Sequence, residues 1–198
     1  MTRAYQRFLE FSRLQGREYG DGYVDQWFAE MDAAELHSAV EALTARAASD
    51  SVAMNALANI LTPRVVQYLS SLSPSTLSPS VAVEYARALL RHDFERGLAK
   101  SLLLKLALDS SVEENLRSYA IAVLAELSDA SERRDVSKQL LSFARDQSIP
   151  AMVKGAAARA VLFLSGRLDS PTAPAQEYLD LIRAFRGGDA RPLMADCT

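Results

Sequence analysis

The feature that most narrows the folds open to this chain is a pattern written twice. Residues 109–127 read DSSVEENLRSYAIAVLAEL, and residues 146–164, 37 positions later, read DQSIPAMVKGAAARAVLFL. In the first copy Val112, Leu116, Ala120, Val123, Leu124 and Leu127 fall on one stripe at helical spacing. In the second, Ile149, Val153, Ala157, Ala160, Val161 and Leu164 take the matching places. Each copy begins on Asp-x-Ser, a turn that can cap a helix start. Each is preceded, at the same offset, by another apolar segment, SLLLKLALD or KQLLSFARD. The unit is therefore helix, turn, helix. A repeat of this length predicts stacked helix pairs, because one pair cannot bury its apolar face alone and a neighbouring pair covers it.

The rest of the chain reads as helix too. Alanine and leucine abound, and no Asn-Gly or Asp-Gly turn joins alternating apolar runs. Asp32 and Glu35 form a capping box that opens a helix running to about residue 48. Thr62-Pro63 and Ser78-Pro79 each place proline at a first helical position behind a hydroxyl, with SLSPSTLSP as a loop between them. Asp93 is expected to cap a helix through Leu108, and Thr172 to Pro174 to begin a last one ending at Gly187-Gly188. The expected fold is all-α: a short solenoid of stacked antiparallel helix pairs with about ten helices. It is read as one repeat domain over 1–188, with acidic N-terminal helices over 1–48, the clearest repeats over 94–165 and a mobile tail over 189–198. The region 50–83 is the least regular and reads as short helices or a broken repeat.

In the second helix of each copy a basic residue precedes small residues and then an apolar pair: Arg117, Ala120 and Val123-Leu124, then Lys154, Ala157 and Val161-Leu162. In this the sequence resembles the HEAT/armadillo class of helical repeats, most clearly over residues 94–165. The resemblance implies a stacked helical fold and a role in binding other macromolecules. It implies no specific chemistry.

The residues themselves offer little chemistry. The two histidines, His37 and His92, are far apart in sequence and lack neighbouring cysteines or paired carboxylates, so they read as solvated or helix-terminal and no metal site is expected. The single cysteine, Cys197, cannot form an internal disulfide and lies in a tail unsuited to holding a nucleophile. No phosphate-binding glycine loop or nucleophile elbow is present. Catalytic residues, cofactors and enzymatic activity are accordingly not expected. A net charge of −3 and a pI near 5.5 argue against nucleic acid as a partner. No apolar run reaches membrane-spanning length and the N-terminus lacks a secretory pattern, so no membrane partner and a cytoplasmic location are expected.

One charge feature stands out. Between residues 18 and 45 lie seven acids, Glu18, Asp21, Asp25, Glu30, Asp32, Glu35 and Glu41, and no lysine or arginine. Tyr19, Tyr23, Trp27 and Phe28 fall in the same window. Acids can steer a basic partner and aromatics can anchor it. Glu18, Tyr19, Asp21, Tyr23, Asp25, Glu30 and Asp32 are thus the candidate partner-binding residues, with Tyr19 and Tyr23 expected to be exposed. A compact helical repeat protein with an acidic end, opening on YVDQWFAEMDAAELHSAVEAL, is similar in style to bacterial toxin-neutralising immunity proteins. That resemblance implies a non-enzymatic module that binds and occludes a basic toxin or effector domain. The alternatives are a chaperone or assembly adaptor using the same surface, and an enzyme built on a HEAT-like scaffold.

Overall fold

The computed structural model describes residues 1–14, 17–20 and 22–172, with Arg17 and Glu18 described in their backbone only. Among these residues the fold is all-α, as the periodicity predicts: eleven α-helices, one 3-10 turn and no strand. The expected last helix after Thr172, the tail and Cys197 lie outside the described residues. The chain divides into two compact units, Met1–Leu102 and Leu103–Thr198.

The first unit contains α1 (Arg3–Phe11), α2 (Arg17–Gly20), α3 (Asp25–Glu30), α4 (Ala33–Thr44), α5 (Ser51–Ala58), α6 (Pro63–Ser71), a 3-10 turn (Pro74–Thr76) and α7 (Pro79–Arg91). Stretch 50–83 thus holds two short helices, the 3-10 turn and the start of α7. The centre is α7, whose residues 81–86 and 88–90 are buried on all sides, chiefly against α5 and α6. Its one buried acid, Glu84, accepts a hydrogen bond from Asn55 Nδ2 on α5 at 2.7 Å and has Arg87 at 3.6 Å. At its end the His92 ring donates to the Leu57 carbonyl at 3.1 Å, and Arg91 donates to Asn59 at 2.8 Å. Both tie α7 to the C-terminus of α5.

The caps read from sequence divide into two groups. Asp32 forms the full capping box with Glu35, and the Thr62 hydroxyl caps α6 ahead of Pro63. Ser78 does not cap α7; its hydroxyl pairs with that of Ser80 instead. Asp93 is also displaced from its expected role. It does not open α8 (Arg96–Leu108) but closes α7. Its φ is +51°, its N–H bonds to the Leu90 carbonyl, and the N–H of Phe94 bonds to the Leu89 carbonyl at 2.9 Å. This is a Schellman closure with aspartate in the left-handed position usually given to glycine. An isolated aspartate before a helix carries the signal of both roles, and here the unsatisfied carbonyls of α7 take it.

The second unit is built from the end of α8 and from α9 (Glu114–Glu126), α10 (Arg133–Arg145) and α11 (Ala151–Leu164). Here the repeat is seen atom by atom. Asp109 Oδ1 accepts from the Ser111 N–H at 2.9 Å and its hydroxyl at 2.6 Å, and Asp146 Oδ1 accepts from the Ser148 N–H at 2.8 Å and its hydroxyl at 2.7 Å. The two aspartates therefore do not cap α9 and α11, contrary to the sequence reading. Each closes its own turn two residues on. The capping positions fall later, on Glu113 and Pro150, and neither supplies a side-chain hydrogen bond. Val112 and Ile149, between turn and helix, are both buried, and the N–H of each closes the turn onto the aspartate carbonyl, at 3.1 and 3.3 Å.

The two helices that carry the matched stripes pack together. Helix α11 packs against both α9 and α10. Ala120 and Ala157 are both wholly buried, as are Leu124 and Val161 to within 1%. Small residues at the matched centre let the helices approach closely while the branched residues beside them fill the seam. Each fully buried leucine or valine contributes about 1.5–3 kcal/mol by leaving water. Beyond α11, Gly166 at φ +75° completes a second Schellman closure, with Arg167 N–H bonded to the Leu162 carbonyl at 2.9 Å.

Candidate interaction surface

The acidic window maps onto α2, α3 and α4 of the first unit, and its chemistry is set by an aromatic cluster beneath it. Phe8 and Phe11 of α1 face Tyr19, Tyr23, Trp27 and Phe28, with ring centroids 4.6–6.1 Å apart. Such short helices cannot hold themselves together, so the aromatic contacts fix α2 and α3 against α1.

The expectation of an exposed tyrosine pair is corrected. Tyr23 is 9% exposed, and Tyr19 is half-buried 6.2 Å from it. What holds them is Arg46, the first basic residue after the acidic window. Its guanidinium lies 4.9 Å over the Tyr19 ring and donates to the hydroxyls of Tyr19 and Tyr23, the latter at 2.9 Å. Its Nε meets Asp50 Oδ2 at 3.1 Å, and the Tyr19 hydroxyl donates to the same oxygen at 2.6 Å. Asp50 Oδ1 meanwhile caps α5 through the N–H groups of Val52 and Ala53. Burial, with Asp50 nearby, pushes the Tyr23 hydroxyl above its ordinary range despite the hydrogen bond with Ser12, so it stays a neutral phenol at physiological pH. Sequence reasoning stopped one residue short of Arg46. The i,i+4 spacing of Arg46 and Asp50 is the signal it had.

The acids have separate fates. Glu35 is buried and accepts from the Thr2 N–H at 2.5 Å and the Thr2 hydroxyl at 2.7 Å, which fastens the start of α1 to α4. Burial raises its pKa, but the hydrogen bonds from Thr2 and from the Asp32 N–H outweigh burial and hold it below its ordinary value. Glu41 pairs with Arg64 at 2.7 Å, and the same arginine reaches the exposed His37 ring. Asp25, Glu30 and Asp32 are exposed, at the two ends of α3. Asp25 lies in the first turn of that helix, Glu30 accepts from Gln26, and Asp32 uses one oxygen as a cap. Asp21 and the Glu18 side chain lie outside the described residues. Val24, beside Asp25, is 46% exposed and supplies apolar area within this acidic rim.

Among the described residues no cluster of three or more His, Cys, Asp and Glu side chains is placed to hold a metal ion, and no helix is long and apolar enough to cross a membrane. No family model, curated protein or solved structure matches the chain.

Proposed function

We propose that this chain is a non-enzymatic protein-binding module whose acidic α3 face docks a basic protein, and that the partner is a toxin or effector domain whose working surface it covers. The observation that carries this reading is the exposure of Asp25, Glu30 and Asp32 around Val24, in a window of seven acids without a single lysine or arginine. Such a patch accelerates encounter with a basic partner about 10- to 1,000-fold, with an effect that fades as salt rises. The aromatic cluster serves as a rigid base. It presents the short helix α3 without the entropy loss of ordering it on binding.

The test begins with capture of partners from the native host on the tagged chain at low and moderate salt. A single stoichiometric basic protein, released by salt and harmful to cells when expressed alone, is the expected outcome. Reversing Asp25 and Glu30 to lysine should then slow association at low salt by at least tenfold. An unchanged association rate would remove the docking face. Capture of many clients or a large assembly would replace the toxin reading with that of an adaptor.

A further inference from the structure

The two Asp-x-Ser turns of the second unit enclose, with the first turn of α9 and with Ile149 and Pro150 ahead of α11, a cleft of about 680 Å³. That is ample for one or two side chains of a bound peptide. Arg117 lines it and is 4% exposed. Its Nε donates to the Ala107 carbonyl at 2.9 Å in the last turn of α8, while its two terminal nitrogens have no acceptor among the described residues. Neither terminal nitrogen is among the buried atoms left without a partner, so both reach the open space of the cleft, where a bound acceptor can replace water. The start of α9 opens on the same cleft, uncapped by a side chain, and adds partial positive charge. The serine hydroxyls are already spent as donors on Asp109 and Asp146.

The rim has the opposite sign. Glu113, Glu114 and Asp146 are exposed there, and Asp146 is held ionised because the Ser148 hydrogen bonds draw its pKa down. Leu108, 51% exposed, adds an apolar edge. A free anion would meet three carboxylates on the way in. A bare lysine or arginine would meet Arg117 at the bottom.

We infer that this cleft binds a carboxylate carried on a basic polypeptide segment, with the carboxylate on the terminal nitrogens of Arg117 and the flanking cations on Glu113, Glu114 and Asp146. Paired N–H groups on one guanidinium suit both oxygens of a carboxylate. Leu108 suits the aliphatic stems of the flanking lysines. The inference rests on the reading of a basic protein partner and concerns a second site, in the other unit of the chain. The carboxylate can be the end of the partner's chain or an aspartate or glutamate side chain.

The experiment is a titration of the full ¹⁵N-labelled chain with three acetylated peptides and with sodium acetate. The first peptide is Lys-Ala-Lys-Leu-Ala with a free C-terminus. The second is Lys-Asp-Lys-Leu-Ala, amidated. The third is Lys-Ala-Lys-Leu-Ala, amidated and so without a carboxylate. Shifts of the Ser111 and Ser148 amides and of Arg117 Nε–H with either of the first two are expected. Response to the first alone assigns a chain end, and response to the second alone assigns a side chain. Arg117→Gln should weaken that binding at least tenfold. Should that variant fail to fold, the exposed pair Glu113→Lys and Glu114→Lys should weaken it at least fivefold. Equal binding of the third peptide, binding of acetate alone, silence with all probes, or undiminished affinity in the variants would overturn the inference. Loss of the peptide signal with intact salt-sensitive capture through α3 removes only the cleft. The reverse result removes only the α3 face.

Discussion

Asp93 occupies a left-handed conformation that glycine adopts without cost and that a residue with a Cβ resists. Replacing it with glycine is expected to raise stability by about 0.5–1 kcal/mol, read as a higher midpoint in urea. Gly166→Ala should act in reverse and lose about 1 kcal/mol, although a methyl there would touch nothing, because its φ of +75° is the obstacle. Arg46→Met removes a cation from the Tyr19 ring and donors from two phenols, and should cost about 1–3 kcal/mol in the same assay. Glu35 gives a pH dependence of definite sign. Its folded pKa lies below the ordinary 4.5, so its contribution is complete above that value and is lost as pH falls through the folded one. Acid titration of stability should therefore steepen below about pH 4.5, and Glu35→Gln should flatten that limb. A variant with an unaltered slope would show that the Thr2 clamp adds nothing. The pairs Thr2–Glu35 and Tyr19–Asp50 are invisible in a window of ten residues, since they meet only when α1 reaches α4 and α2 reaches the start of α5.

At the scale of elements, the helices were legible and their junctions less so. The stripes of α9 and α11 carry a period of 3.6 that no strand reproduces; the pairs Val112/Ile149, Ala120/Ala157, Val123/Ala160 and Leu124/Val161 are buried in both copies, whereas Leu116 and Leu127 are half-buried where Val153 and Leu164 are buried. The caps were harder, because one aspartate can open a helix, close its own turn or end the preceding helix. The choice is written in the backbone bonds that follow, as Val112, Ile149 and the end of α7 show. The tyrosines misled for a related reason. Tyr19 and Tyr23 flank a glycine-rich turn, which argues for the surface, but Phe8 and Phe11 of α1 need covering and recruit them. The seam between α9 and α11 makes a sharp prediction. Ala120→Leu and Ala157→Leu each force a larger side chain into a wholly buried position and should each cost about 1–3 kcal/mol. Leu124→Ala opens a void in the same seam and should cost about 2–5 kcal/mol. Equal tolerance of all three in thermal melts would contradict the close approach of the two helices.

For the molecule as a whole, charge is distributed along the sequence more unevenly than its total suggests. Residues 18–45 carry −7 in a chain of −3, so the remainder carries +4. The second unit owes its form to a different economy, the reuse of one 37-residue sentence. A cleft of the kind lined by Arg117 arises only where two Asp-x-Ser turns lie side by side, so its number is one fewer than the number of copies. Duplicating residues 109–145 in place would create a further turn and with it a further pocket, while deleting a copy would abolish the pocket and leave helices behind. Valence in such an architecture is a matter of counting. A tandem duplication adds a binding position in a single genetic event, before any residue has been selected for it.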